Sequence, residues 1–274
     1  MKKIEDVILV NGAPEIMLLR EYMKGDFCKE AVEEILRWEK GTVLLATGFY
    51  VGGYGESDGP AGTICLERAL KKLGYKPVVI TDHTCEGYFE LMGAEVVYIG
   101  LEDTDDMLEA LLAKYEPVGM ISIERCGKNL EGYYANVRNC SISSHVAPVD
   151  RLFELAYGKI PTIGIGDRGN EIGMGNMADI IRTKTYLVPS RVKTDVLVIA
   201  TVSNWGAFGM AAYLEKLTGI TLFPDNDEIE HYYRMGCVLH HVDGLTREVD
   251  HTLIDGINRD VERNLVEELR EIIN

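Results

Sequence analysis

TVLLATGFYVGGYGESDGPAGTICLERALKKLGYKPVVIT, residues 42–81, is the stretch that decides the fold. Its opening run Thr42–Thr47 (TVLLAT) is short and apolar and reads as a buried strand. From Pro60 the pattern changes period. Cys65, Leu66, Ala69, Leu70 and Leu73 fall on one helical face, and Gly74 stops the helix. Pro77–Thr81 (PVVIT) returns to a buried strand. Strand, glycine-rich loop, helix and strand thus follow one another within forty residues.

The alternation continues outward. A helix is expected around Glu86–Met92, a strand at Glu95–Ile99, a helix at Thr104–Lys114 and a strand at Val118–Ile123. Helix Pro148–Tyr157 follows, with Pro148 suited to a first turn, then strands Ile160–Ile165 and Val196–Ala200. A helix at Trp205–Leu217 takes Asn204 as its N-cap. Strands separated by helices of this length imply an α/β fold, a three-layer α/β/α arrangement on a mostly parallel sheet. The chain reads as one domain over residues 1–274. Its first 40 or so residues and a C-terminal helix from Asn258 to Ile273 are expected to pack on that core. Glu124 to Ala147 has no regular pattern, and an irregular stretch of that length in a compact domain suggests function.

Size and composition are consistent with this. With 274 residues and 46% hydrophobic content, the chain can bury a core without disulfides or metal staples. Its six cysteines, Cys28, Cys65, Cys85, Cys126, Cys140 and Cys237, contain no CxxC pair, so reduced thiols are expected. The start Met1-Lys2-Lys3-Ile4-Glu5-Asp6 lacks the apolar region of a secretory signal, and a cytoplasmic location is expected. A net charge of −16 argues against nucleic-acid and membrane partners. It also means that an anionic substrate needs local positive charge. Self-association into a homo-oligomer is left open.

Ligands of open parallel sheets bind beyond the C-terminal strand ends. Polar and glycine residues gather at these ends: Glu56 to Gly62, Thr81-Asp82-His83, Glu124 to Asn129, Gly166 to Asn176, and Thr201 to Gly206. The densest is Gly166-Asp167-Arg168-Gly169-Asn170-Glu171-Ile172-Gly173-Met174-Gly175-Asn176. Its glycines let backbone approach a ligand, and its N–H groups could hold an anion. Asp167 and Glu171 could bind a cation or serve as acid and base; the alternative is a turn with solvated acids. Asp58 is either a third such acid or a cap for the helix from Pro60. Arg125 and Lys128 are candidate carboxylate clamps, with Arg138 and Arg168 adding to the positive patch.

Several chemistries are disfavoured. Gly52, Gly53 and Gly55 do not form GxGxxG, and no GK[ST] follows, so no nicotinamide cofactor is expected. There is no GxSxG elbow. His231, His240, His241 and His251, with Asp243 and Asp250, lack zinc-ligand spacing, which leaves zinc a minor alternative.

The run IGIGDRGNEIGMGN, Ile163–Asn176, resembles the signature of the D-glutamate cyclase C-terminal-like family. ESDGPAG (Glu56–Gly62), Thr81-Asp82, ERCGKN with GYYAN (Glu124–Asn136), SNWG (Ser203–Gly206) and the VDG turn (Val242–Gly244) are similar to its other motifs. Arg168 and Cys126 stand where the family pattern leads one to expect glycine and proline. The resemblance implies a small amino-acid substrate and a hydro-lyase converting D-glutamate to 5-oxo-D-proline and water.

Such a cyclisation needs a base for the ammonium, neutralisation of the γ-carboxylate and a proton for the departing oxygen. Asp58, Asp167 and Glu171 are the expected acid–base or metal-binding residues, with Glu124 a further candidate. A divalent cation, Mg or Mn, could take part. Arg125 and Lys128 would hold substrate carboxylates. Backbone N–H groups of Gly169, Gly173 and Gly175 would face an oxyanion, and Asn170, Asn176, Ser203 and Asn204 would contact substrate. The competing readings are a lyase or hydrolase acting on another small amino acid or lactam, and a non-catalytic regulator binding a metabolite or nucleotide.

Overall fold

The fold is described from a computed structural model, over residues 2–274. Strands β1 (Thr42–Gly48), β4 (Lys76–Thr81), β5 (Val96–Tyr98), β6 (Gly119–Arg125), β7 (Thr162–Gly166) and β8 (Val196–Ile199) form one sheet in the order β5-β4-β1-β6-β7-β8. Every pairing in it is parallel. The chain enters at the centre, builds outward to β5, then returns to lay β6 on the other side of β1. The order therefore reverses between β1 and β6, and a crevice opens beyond their C-terminal ends. Two small hairpins sit outside the sheet: β2 (Tyr50–Val51) with β3 (Tyr54–Gly55), and β9 (Leu253–Ile254) with β10 (Ile257–Asn258).

Alternation along the strands separates two cores. Val43, Leu45, Val79, Ile121 and Ile123 join the larger cluster. It contains α1 (Ile4–Val7), α2 (Pro14–Arg20), α3 (Phe27–Arg37), α4 (Pro60–Lys72), α9 (Ser203–Thr218), α10 (Asn226–Val238) and α11 (Asp260–Ile273). Leu44, Ala46, Val78, Ile80 and Met120 point the other way, onto Leu108 of α6 (Asp105–Tyr115) and Leu152 and Phe153 of α7 (Val149–Ala156). Both sheet faces are thus covered, giving the three-layer α/β/α fold expected. Short helices α5 (Tyr88–Leu91) and α8 (Ala178–Lys184) complete the set among the described residues. None is long and apolar enough to cross a membrane. All six cysteines are free thiols.

Three local expectations need correction. The helix expected at Glu86–Met92 is a 3₁₀ turn, His83–Cys85, and a single turn of α5. Gly87, at φ 84°, divides them. Asn204 is not the N-cap of α9; the helix begins at Ser203 with Val202 as cap. Nor is Asp58 the N-cap of α4, a position held by Gly59.

What Asp58 and Asn204 do instead joins the two helices. Asp58 accepts the N–H groups of Ser203 at 2.8 Å and Asn204 at 2.7 Å, at the start of α9. Asn204 Oδ1 accepts the N–H groups of Gly59 at 3.0 Å and Gly62 at 2.7 Å, at the start of α4. The first turn of each helix leaves unpaired N–H groups, and here each is satisfied by the other helix. Gly62 permits the approach: a Cβ there would lie 2.9 Å from Ala207 Cβ.

Candidate active site

A cavity of about 220 Å³ opens at the β1/β6 crevice. The loop after β1 supplies Phe49, Tyr50 and Glu56; the end of β6 supplies Glu124; the loop after β7 supplies Asp167, Arg168 and Asn170. The segment carrying the β9–β10 hairpin covers it with Gly244, Leu245, Arg247 and Asp255. Tyr50, part of the wall, stacks on His145 from the irregular stretch, with ring centroids 4.3 Å apart.

Glu124 is placed by a break in the sheet. The register passes from Thr47 opposite Ile123 to Gly48 opposite Arg125, so Glu124 is left out of the ladder. Its φ is 45°, an uncommon conformation for a residue other than glycine. Bulges of this kind re-aim side chains beside active sites, and the Glu124 carboxylate accepts the Ser203 hydroxyl at 2.6 Å. Asp167 follows β7 directly, and neither of its carboxylate oxygens has a hydrogen-bond partner. Glu171 lies behind it and folds back to accept the N–H groups of Arg168 at 3.1 Å and Gly169 at 2.8 Å.

Acids crowd this floor. Glu56, Asp58, Glu124, Asp167, Glu171 and Asp255 are all buried. Burial, then the charge of Asp255, pushes the Glu56 carboxyl well above the usual carboxylate range. Burial, then Glu124, does the same to Asp167; burial, then Glu171, does so to Glu124. Asp58 is raised by burial and Asp255 against the pull of its three backbone donors. Glu171 is raised by burial, with the N–H groups of its own loop opposing. Desolvation thus outweighs hydrogen bonding at Glu56, Asp58, Glu124, Asp167 and Glu171.

Within each of two triads, Asp58–Asp167–Asp255 and Glu124–Asp167–Glu171, the ligand oxygens lie within 4.8 Å of one another. Asp167 belongs to both and has both oxygens unspent. All-oxygen, anionic donor sets favour a hard divalent cation such as Mg or Mn. The residues therefore fit the cation that the sequence suggested.

The expected site residues divide sharply. Glu124, Asp167 and Asn170 line the cavity, Asp58 and Glu171 back it, and Ser203 reaches it through Glu124. Arg125 does not reach it. Its guanidinium, 1% exposed, pairs with Asp82 at 2.6 Å and donates to the carbonyls of Gly48 and Ala147. Lys128 is also outside, with Nζ over the Tyr134 ring. The N–H of Gly169 is used by Glu171, and those of Gly173 and Gly175 by the Val192 carbonyl, so none is free for an oxyanion. Asn176 exchanges hydrogen bonds with Thr194, and Asn204 spans α4 and α9. These are structural roles.

Glu56, Asp255, Arg247 and Gly244 were missed as site residues. The VDG turn was the available signal. A Cβ on Gly244 would collide with Glu56 Oε1 and lie 2.9 Å from Asp255 Oδ1, so any side chain there would displace these acids. Asp243, just before it, holds the covering segment by accepting N–H groups of Leu245, Thr246 and Gly256. The four C-terminal histidines belong to neither triad.

Comparison with known proteins adds a family. The family described as "D-glutamate cyclase-like, C-terminal" matches residues 9–270. Mitochondrial D-glutamate cyclase of Homo sapiens is 32% identical over 200 residues, which is 63% of this chain and 32% of the human protein. The match thus spans about a third of the length of that relative. Among solved structures, an exopolyphosphatase-related protein from Bacteroides fragilis covers 90% of this chain and 57% of its own, with TM-score 0.46 and 8% identity.

Proposed function

Because the chain belongs to the D-glutamate cyclase-like, C-terminal family, we propose that its cavity closes an amino dicarboxylate on itself, converting D-glutamate to 5-oxo-D-proline and water. The observation that carries the reading is the buried acid floor of the cavity, with its raised carboxyl groups and a guanidinium, Arg168, alongside.

The chemistry makes specific demands. The zwitterion carries three protons on nitrogen and the lactam carries one. Two protons must move from nitrogen to a single oxygen of the γ-carboxylate, and that oxygen leaves as water. The nitrogen–carbon bond forms as the carbon–oxygen bond breaks, and the enzyme ends with the protons it began with. Two adjacent carboxyl groups that exchange protons suit this. Asp167, with both oxygens free, takes a proton from the ammonium. Glu124, whose carboxyl is raised and held by Ser203, supplies one to the departing oxygen. The pair then re-equilibrates and acts a second time, so the other proton lost by nitrogen reaches the same oxygen and water departs. Exclusion of water strengthens both interactions, and the five-membered ring forms within one bound molecule, so orientation contributes much of the rate.

Asp58, Asp167 and Asp255, or Glu124, Asp167 and Glu171, would hold a divalent cation. Once bound, it would neutralise acid charge and polarise a carboxyl oxygen. The test is direct. Purified protein is incubated with D- and L-glutamate, with and without Mg²⁺ or Mn²⁺, and 5-oxoproline is read by mass spectrometry. Product from D-glutamate is expected. Its absence under every condition would end this reading.

A further inference from the structure

Deepening the amino-dicarboxylate reading, on which it rests, we propose that Arg168 grips the α-carboxylate of the substrate and makes the site specific for α-amino acids.

Arg168 lines the cavity and its side chain is 24% exposed, so it is accessible from within but lies below the rim. Arg138 and Arg247 also line the cavity, but they are exposed at its mouth. Arg168 stands 3.6 Å from Asp167 and 3.7 Å from Asp255, within ion-pair range but too far for hydrogen bonds. Among the described residues its guanidinium makes no hydrogen bond, unlike that of Arg125, whose two terminal nitrogens both donate. A half-buried arginine that donates no side-chain hydrogen bond and faces a cavity is prepared for a planar acceptor, and a carboxylate taken bidentately matches that fork.

Adjacency fixes which carboxylate it takes. Arg168 follows Asp167 in sequence, and the two side chains are in contact range. A ligand whose α-carboxylate lies on Arg168 carries its ammonium one carbon away, beside the unpartnered oxygens of Asp167. The γ-carboxylate then extends along the floor toward Glu124, where a proton is needed. The reverse orientation would hold the γ-carboxylate ionised on Arg168 and away from Glu124, the proton source for its departing oxygen. The other possible role for Arg168 is simple charge compensation of Asp167 and Asp255. That role would be indifferent to which groups a ligand carries.

Ligand truncation separates the two. Saturation-transfer NMR on the full chain, wild type against Arg168→Gln and Arg168→Lys, would measure binding of three ligands. These are D-glutamate; D-2-aminopentanoate, which keeps the α-carboxylate and lacks the γ; and 4-aminobutyrate, which lacks the α-carboxylate. Arg168→Gln should weaken D-glutamate and D-2-aminopentanoate alike, by roughly 10- to 100-fold, the usual size for charge-assisted hydrogen bonds. Binding of 4-aminobutyrate should change less than about twofold. Arg168→Lys keeps the charge and loses the fork, so its losses should be smaller and in the same order; it also guards against a misfolded Gln variant. Equal weakening of all three ligands, or unchanged D-2-aminopentanoate binding, would overturn the assignment. Selective loss without any 5-oxoproline from wild type would remove the cyclisation and leave Arg168 as the α-carboxylate site. Failure of D-glutamate to bind wild type would remove both.

Discussion

Asp58 and Asn204 cap each other's helices: each side chain accepts N–H groups from the first turn of the helix to which the other belongs or adjoins. The two helices follow β1 and β8, so the exchange ties the centre of the sheet to its far edge directly behind the acids. Replacing Asn204 by Ala should cost about 2 kcal/mol or more, since a cap is lost and buried donors are stranded. Urea denaturation would measure this. A cost below about 0.5 kcal/mol would mean that the exchange contributes little to stability.

Asp167 has no hydrogen-bond partner and sits among like charges. Asp167→Asn should reduce 5-oxoproline formation about 10²- to 10⁴-fold. The same change removes a poorly solvated charge and should raise stability by about 0.5–2 kcal/mol at neutral pH without divalent cation. Activity and melting temperature should move in opposite directions. A variant both active and more stable would remove Asp167 from the mechanism.

The raised carboxyls also set a pH dependence. Glu56, Asp58, Glu124, Asp167 and Glu171 titrate above the ordinary 3.8 for Asp and 4.5 for Glu. Above those values the folded chain retains protons that the unfolded chain has released. Their contribution to stability is complete below the ordinary values and disappears as pH climbs through the raised ones. Asp82 is shifted down, so its contribution is lost in acid, outside this window. The melting temperature of metal-free protein should fall between about pH 5 and about pH 8, and Mg²⁺ or Mn²⁺ should flatten the slope. A melting temperature that rises across that range would contradict the acid cluster as described.

Arg125→Met should destabilise the fold by about 3–5 kcal/mol, because Asp82 is left as an uncompensated buried charge. A guanidine titration would show this, whereas the Arg168 variants should retain near wild-type midpoints. If Arg125→Met folds normally and loses only ligand affinity, its assignment as structural is wrong.

Gly244→Ala should cost about 1–3 kcal/mol and reduce turnover, since its Cβ would collide with Glu56. Gly25→Ala makes the control: the nearest atom to its Cβ, Lys3 Nζ, is 3.6 Å away. A thermal melt of both variants would compare them. Equal behaviour would mean that the covering segment adjusts freely.

Much of this was legible in the chain. Short apolar runs alternating with helical patterns located the sheet strands within a residue or two, and Asp167 and Glu171 stood out by their glycine context. Other features depend on distant partners. Arg125 looks free until β4 brings Asp82 beside it, 43 residues away. Asn204 has the residue type of a cap, and only packing shows that it caps a different helix. The bulge at Glu124 follows from the pairing of β6 with β1, which no local pattern encodes. Asp255 and Glu56 become neighbours only through the turn at Gly244.

The acid floor draws on residues 56, 58, 124, 167, 171 and 255, widely spaced along the chain. Contacts of such long sequence separation close late in folding. Until the β9–β10 hairpin docks, Asp255 is apart from Asp58 and Asp167, and its repulsion with them is not yet felt. The cost of adding this acid therefore falls after the main folding barrier. Neutralising Asp255 should slow unfolding and leave the folding rate nearly untouched, so the persistence of the native chain, more than its assembly, records the completed site.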